Sequence, residues 1–332
     1  MHNRISLIKL TSDISEMNCP QKEWIINKNH TWSLQALDDL TKYLLSQKTD
    51  SLMIVQNGQI IYTYDDVSKK LLVHSCRKSI INGLFGILDH KKKINLGSTL
   101  AELKIDDKEK LSEAEQQATL LDLLRAGSGV YHPAAYETPS MKERKPKRFS
   151  HYSGDFWYYN NWDFNVLGYI YSQFVNEDIY RMLHSEIAIP LLMQDFQISD
   201  GKYIYEEESK YPAYDFKMTT RDLARFGLLY LNNGTWNGEQ LFDENWVTKS
   251  MTAYSSTDGM GNFPYGGYGL LWWITDFGYI ALGAGGHFVA IVPSKSLKCN
   301  KFRNTIPIGA IKLKCASPIT YDVIGIDTNL IR

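Results

Sequence analysis

The sequence lacks any apolar run of about 18 residues, the length a spanning helix needs, and none of its four cysteines stands in a CxxC pair. The first absence excludes a membrane-spanning helix. The second leaves Cys19, Cys76, Cys299 and Cys315 without metal or redox spacing, so they read as free thiols of a reducing compartment. Met1 to Ser15 mixes Arg4, Lys9 and Asp13 with short apolar pairs. It lacks the continuous apolar centre of a secretion signal, and the expectation is a cytoplasmic protein. An excess of one charge is missing too. Lys and Arg number 36 against 37 Asp and Glu, a net charge of −1 that offers no footprint for nucleic acid. There is no internal repeat, low-complexity tract or obvious linker, and nothing calls for a metal or an organic cofactor.

What is present suits a large folded core. Hydrophobic residues make up 44% of the 332, enough for two lobes that share an interface. Ser33 opens an amphipathic stretch with Leu34, Leu37, Leu40, Leu44 and Leu45 on one face. Two apolar runs, Leu52 to Val55 and Ile60 to Tyr62, flank Asn57-Gly58, a strong hairpin signal. The middle is helical. The patterns predict helices from Ser75 to Asp89, from a capping box at Ser112-x-x-Glu115 through to Arg125, over Phe164 to Phe174, and over Ile179 to Ile187. Thr219 caps a further helix carrying Leu223, Phe226, Leu229 and Tyr230. Beyond Tyr265, the runs 269–274, 279–282 and 288–292 read as strands. Strands at both ends of a helical middle imply one antiparallel sheet with an inserted helical lobe: residues 1–73 and 215–332 for the sheet, 74–214 for the lobe. The basic run Lys142 to Arg148 reads as a solvated loop.

Ser75-Cys76-Arg77-Lys78 is an SxxK tetrapeptide. At the start of a helix it sets the lysine amine one turn from the serine hydroxyl, where a neutral amine can take the proton. The helix N-terminus favours the developing oxyanion. Ser6-x-x-Lys9 and Ser199-x-x-Lys202 match the tetrapeptide as well, but only Ser75 is followed directly by a long apolar-faced helix. A second element, Tyr158-Tyr159-Asn160-Asn161, can present a phenol and an amide to one cleft, as Tyr158 with Asn160 or as Tyr159 with Asn161. A third, Gly283-Ala284-Gly285-Gly286-His287, can bring backbone close to a substrate or can be a plain strand turn.

In this order, with His74-Ser75-x-Arg77-Lys78-Ser79, Ser128 to Glu137, Tyr159 to Gly168, Pro190-Leu191-x-Met193, Asp222 to Gly227 and Tyr268-Gly269-x-x-Trp272-Trp273, the chain resembles the penicillin-binding-protein and serine β-lactamase family, in its class C β-lactamase and esterase branch. The likeness runs over roughly residues 35 to 295. It implies a β-lactamase-like α/β fold of the α+β type, an antiparallel sheet flanked by helices plus a helical lobe, with the site between them. It implies Ser75 as nucleophile, Lys78 as its activator, Tyr159 as base because Leu167-Gly168 stands at the family's distance from it, and Asn161 as the substrate-orienting amide. The oxyanion would sit between the N–H groups of Ser75 and Ala284, Gly285 would line the substrate side, and His287, where relatives often carry Gln, would touch substrate.

Two departures qualify the likeness. The lysine of the family's Lys-Thr-Gly strand is replaced in Ala281-Leu282-Gly283, which removes the usual clamp for a carboxylate and points to small ester, amide or peptide substrates over β-lactams and D-Ala-D-Ala ends. The tail from Lys298 shows no closing helix, and the expectation is a tail that is divergent or altered by a frameshift, which would leave an exposed sheet edge if the last strand were missing. A non-catalytic binding or sensor protein on this fold is the alternative class. His132 and Glu137 are expected to brace their loop, and Cys76 to point into the core.

Overall fold

A computed structural model describes residues 19–257, 265–275, 278–293 and 308–313. Helix α1 (Leu34–Ser46) is capped by Ser33, whose hydroxyl accepts from the Ala36 N–H, and buries Leu40 and Leu44. Strands β1 (Ser51–Gln56) and β2 (Gln59–Asp65) pair as the expected hairpin. Asn57 (φ 52°) and Gly58 (φ 73°) both take the left-handed conformation that a tight two-residue turn demands.

A short strand, β3 (Leu71–Leu72), then leads into α2 (Cys76–His90). Helix α2 is buried all round, with Ile80, Ile81, Leu84, Phe85 and Leu88 each at most 2% exposed. Each such side chain contributes about 2 kcal/mol on leaving water. It is the post around which both lobes pack. The lobe beyond it holds α3 (Leu120–Leu124), α4 (Pro139–Arg144), α5 (Asn161–Val175) and α6 (Ile179–Leu183). Strands β4 (Gly201–Ile204) and β5 (Ala213–Met218) return the chain, and β5 pairs with both β3 and β4. Helix α7 (Thr220–Leu231), the ribbon β6 (Thr235–Trp236) and β7 (Glu239–Gln240), and α8 (Glu244–Ser250) lead to β8 (Tyr265–Tyr268), β9 (Trp273–Thr275), β10 (Tyr279–Gly283), β11 (His287–Val292) and β12 (Ile308–Leu313). The large antiparallel sheet runs β2-β1-β12-β11-β10-β9-β8 and so is built from both ends of the chain.

Two expectations need correction, and the condition raised for the tail is answered. The capping box at Ser112 does form, with Ser112 N–H on Glu115 at 2.8 Å and Glu115 N–H on the Ser112 hydroxyl at 3.2 Å, but it opens only the single turn Glu115–Gln117. Backbone pairing of Leu100 with Ala118 and of Leu120 with Ser98 pulls the chain out of the helix, and a second box, Thr119 with Asp122, starts α3 afresh. The helix at Ile179 ends at Leu183 and widens into a π-turn over His184–Ala188. The last strand is present: β12 lies between β1 and β11, with Ala310 opposite both Ile54 and Ala290. Ile308-Gly309-Ala310-Ile311 is short, holds a glycine, and follows Pro307 and the basic stretch Lys298 to Arg303, so it carries little strand signal of its own. The remainder of the tail, residues 1–15, Cys299, Cys315 and the Ser6 tetrapeptide lie outside the described residues. Cys76 is a free thiol, buried in the core. Among the described residues, no helix is long and apolar enough to cross a membrane, and no group of three or more His, Cys, Asp or Glu is placed to hold a metal ion.

The helical lobe is tied by one buried carboxylate. Asp107 accepts from the Trp162 indole, the Ser209 hydroxyl and the N–H groups of Lys108 and Lys210, each at 2.8 Å. Burial pushes its pKa up, but these bonds outweigh it and hold the carboxyl below its usual range. Such a group adds stability above its unfolded pKa and loses it as pH falls through the folded one. Asp107→Ala should therefore lower the unfolding free energy by about 3 kcal/mol at neutral pH in urea titrations. The deficit should shrink as the pH is taken below about 4. A loss under about 1 kcal/mol would show the loop to be held without it.

Candidate active site

Strand β3 fixes where the turn ahead of Ser75 begins. Leu71 and Leu72 pair with Met218 and Lys217, and the Val73 N–H donates to the Phe216 carbonyl at 3.1 Å. The chain then turns sharply at His74, which is left-handed (φ 49°) and costs strain of about 1–3 kcal/mol. Ser75 follows as the N-terminal residue of α2, half-buried. The N–H groups of Cys76, Arg77 and Lys78 are taken by the carbonyls of Val73, His74 and Ser75. The Ser75 N–H has no acceptor among the described residues, which suits an oxyanion donor.

Lys78 lies one turn on, 2% exposed. Its Nζ stands 3.1 Å from Ser75 Oγ, 2.8 Å from the Tyr159 hydroxyl and 3.2 Å from Asn161 Oδ1. The rings of Tyr159 and Phe164 close it in at 4.1 and 4.3 Å from their centroids. Burial, reinforced by the Arg77 charge, pushes its pKa well below the lysine range; Asp215 and Cys76 oppose this more weakly. A neutral amine beside a serine hydroxyl is a competent base.

Helix α5 delivers the other two groups. Asn160 caps it, accepting from the Trp162 N–H, and donates to the Val130 carbonyl and to Asp163. Asp163 also accepts from the Ser128 hydroxyl at 2.6 Å, and burial raises its pKa well above the carboxylate range. Asn161 therefore starts the helix facing α2, donating from Nδ2 to the Tyr136 carbonyl at 2.7 Å. The pairing that remained open in the sequence separates in space. Tyr159 and Asn161 meet Lys78, whereas Tyr158 donates to the Met141 carbonyl and has its pKa pushed up to about 12 by burial, with Asn160 spent on the cap. Ser199 sits in a single turn ahead of β4, without a following helix.

The glycine turn joins β10 to β11. Gly285 (φ 82°) and Gly286 (φ 85°) are left-handed, as the hairpin requires, and Ala284 is exposed. Gly283 serves a different purpose. A Cβ there would lie 2.5 Å from the Val73 carbonyl and 3.3 Å from Cys76 Sγ, so its absence lets β10 close on the turn ahead of Ser75. His287 is 2% exposed and packs edge-on against His74, ring centroids 5.3 Å apart. Burial lowers the His74 pKa. Two groups next to the triad escaped sequence reasoning. Phe164 was read as helix core, and Tyr136 acts through a backbone carbonyl, which leaves no mark on residue type. His132 and Glu137 brace their loop: Lys145 bonds the His132 carbonyl and the Glu137 carboxylate.

The β-lactamase profile matches residues 40–312. The chain belongs to the beta-lactamase family. No curated protein matches it in sequence. Among solved structures it is similar to a candidate 6-aminohexanoate-dimer hydrolase from Bacillus anthracis, at 21% identity and a TM-score of 0.57, over 83% of this chain and 76% of that one. It is also similar to the octameric penicillin-binding protein homologue from Pyrococcus abyssi (15%, 0.60, 84% and 72%) and to a penicillin binding protein from Bacillus halodurans (13%, 0.59, 82% and 93%). These likenesses show the β-lactamase and penicillin-binding-protein fold.

Within this β-lactamase-family site, the contact of Gly283 with backbone atoms cannot be relieved by a side-chain rotation. Gly283→Ala should slow phosphonylation of Ser75 by a fluorophosphonate about 100-fold, the scale on which misplacing a reacting group by an ångström acts. Gly266→Ala, whose Cβ would meet nothing closer than 4.0 Å, should label like wild type. Equal rates in all three proteins would mean that the approach of β10 does not set the reactivity.

Proposed function

We propose that the protein is a serine hydrolase that forms an acyl-enzyme at Ser75 from a neutral ester or amide. The observation that carries this reading is the buried Lys78 amine within hydrogen-bond reach of Ser75, Tyr159 and Asn161 at once. The Ser75 proton passes to Lys78 as Oγ bonds the carbonyl carbon. The oxyanion is held by the N–H groups of Ser75 and Ala284, and Asn161 with Gly285 orients the acyl chain. The leaving alcohol or amine takes its proton from Lys78 through the Tyr159 hydroxyl. Water then attacks the acyl-enzyme, giving a proton back along the same relay, and Ser75 is regenerated as the acid departs. His287 supports the substrate side from behind, through His74. The missing strand lysine favours neutral substrates over β-lactams and D-Ala-D-Ala ends, which present a carboxylate.

Intact-protein mass after fluorophosphonate treatment should show one adduct on wild type and none on folded Ser75→Ala. Turnover of a nitrophenyl ester should fall about 1,000-fold in Lys78→Ala and about 100-fold in Tyr159→Phe. It should rise with pH as Lys78 loses its proton and level off well below the ordinary lysine value of about 10.4. A folded wild type that takes no adduct would sink the hydrolase reading. An adduct without turnover of any ester or amide would favour a binding or sensor protein, and a chromogenic cephalosporin cleaved faster than esters would favour a β-lactamase.

A further inference from the structure

We propose that Tyr136 is a positioning residue: its carbonyl fixes the Asn161 amide so that the lone pair of Lys78 is left for the Ser75 proton. The inference rests on the hydrolase reading and deepens it. A neutral lysine amine has two N–H donors and one lone pair. Three groups surround Nζ, and with Asn161 Oδ1 facing it the two donors go to Oδ1 and to the Tyr159 oxygen. The lone pair then faces Ser75 Oγ at 3.1 Å. Turning the Asn161 amide over would put an N–H donor on that lone pair. One lysine N–H would then have to point at Ser75, and the serine proton would have no acceptor.

The Tyr136 carbonyl forbids the turn. It accepts from Nδ2 at 2.7 Å, and the flipped amide would set two oxygens against each other. The carbonyl is held in an unusual way. Tyr136 is a bulky residue in the left-handed region (φ 71°), a conformation that persists only where neighbours enforce it. Its N–H donates to Glu206 at 2.9 Å and its hydroxyl to Asp215 Oδ2 at 2.9 Å. Its ring lies 5.4 Å from the Arg77 guanidinium, which the Tyr214 ring covers at 5.3 Å. Asp215 is 2% exposed, and its Oδ1 is occupied by the Phe216 N–H. One part-buried hydrogen bond from the phenol thus anchors a strained residue whose carbonyl orients the amide that aims the base.

The test is the pH profile of Ser75 phosphonylation, in which Oγ bonds phosphorus, the Ser75 proton moves to Lys78 and fluoride leaves. Tyr136→Phe keeps the ring and loses the anchor. The plateau rate should fall about tenfold, with the acid limb unmoved or shifted to lower pH, because an amide N–H facing Nζ stabilises the neutral amine. If Tyr136 only shields Lys78 from water, the lysine pKa rises and the acid limb moves to higher pH; that outcome overturns the proposal. Arg77, Asp215 and Cys76 also act on the Lys78 charge. Asp215→Asn separates charge from hydrogen bond, since it keeps an acceptor for the phenol. It should hold the plateau within about twofold while the acid limb moves down. A plateau lost equally in Asp215→Asn, or kept in Tyr136→Phe, overturns the proposal while the hydrolase reading stands. A wild type without labelling ends both.

Discussion

Everything at this site depends on keeping one lysine amine out of water without giving it a carboxylate. A buried ammonium with no counter-ion costs several kcal/mol, and that cost is the main cause that pushes the Lys78 pKa down. Among the described residues, no carboxylate lies within ion-pair distance of Lys78. Its neighbours are a hydroxyl, a phenol, an amide oxygen and two aromatic rings, each able to hold an amine and none able to hold its charge firmly. The aromatic faces do attract a cation, so burial has to outweigh them. That requires α2 to be enclosed on every side, which is why the helix that carries Lys78 is also the central post of the core.

The enclosure is assembled from strained pieces. His74 ahead of Ser75, Tyr136 above Asn161 and Leu271 beside Ser79 all have positive φ. Each touches α2 or its partners: the Ser79 hydroxyl donates to the Leu271 carbonyl at 2.7 Å, and the Leu271 N–H donates to Leu124 at 3.0 Å. Left-handed conformations of non-glycine residues survive where the surroundings over-determine them. Here the surroundings are a filled core and saturated carbonyls. Glycine at these positions would relieve the backbone but give up the rings and side chains that seal the cleft.

The order of elements, the Asn57-Gly58 hairpin and the Ser75-x-x-Lys78 tetrapeptide were legible because each depends on residue type at short spacing, whereas Tyr159 and Asn161 were separated from their neighbours only by the family resemblance. The role of Lys78 in gathering Tyr159 and Asn161, and not their neighbours, rests on which way α5 begins. That in turn rests on Asn160 capping the helix while bonded to Val130 and Asp163. The break at Ala118 was not legible, since it comes from pairing with residues 98–101, and local capping signals are blind to it. Strand β12 was missed for a similar reason. Six short residues between two buried strands need little patterning of their own, because the sheet on either side supplies their partners. Tyr136 was quoted for its place in a motif, but a carbonyl that matters through a torsion angle leaves no trace in composition.

The charges around Lys78 also bear on the missing strand lysine. Arg77 is adjacent in sequence, 2% exposed and clasped between the rings of Tyr136 and Tyr214. It cannot reach a substrate in the cleft in place of the absent cation without leaving that clasp. Its charge acts inward, adding to burial in driving the proton off Lys78, while Asp215 behind Tyr136 works the other way. A second lysine on β10 would bring another positive charge towards the same amine and lower its pKa further, unless a bound carboxylate neutralised it. Where such a lysine stands, a substrate carboxylate would cancel its charge on binding. With Ala281-Leu282-Gly283 in that place, the electrostatic setting of Lys78 is the same whether the cleft is empty or holds a neutral substrate. The base therefore needs no charge from its substrate to be ready, which is consistent with an ester or amide lacking a carboxylate beside the scissile bond.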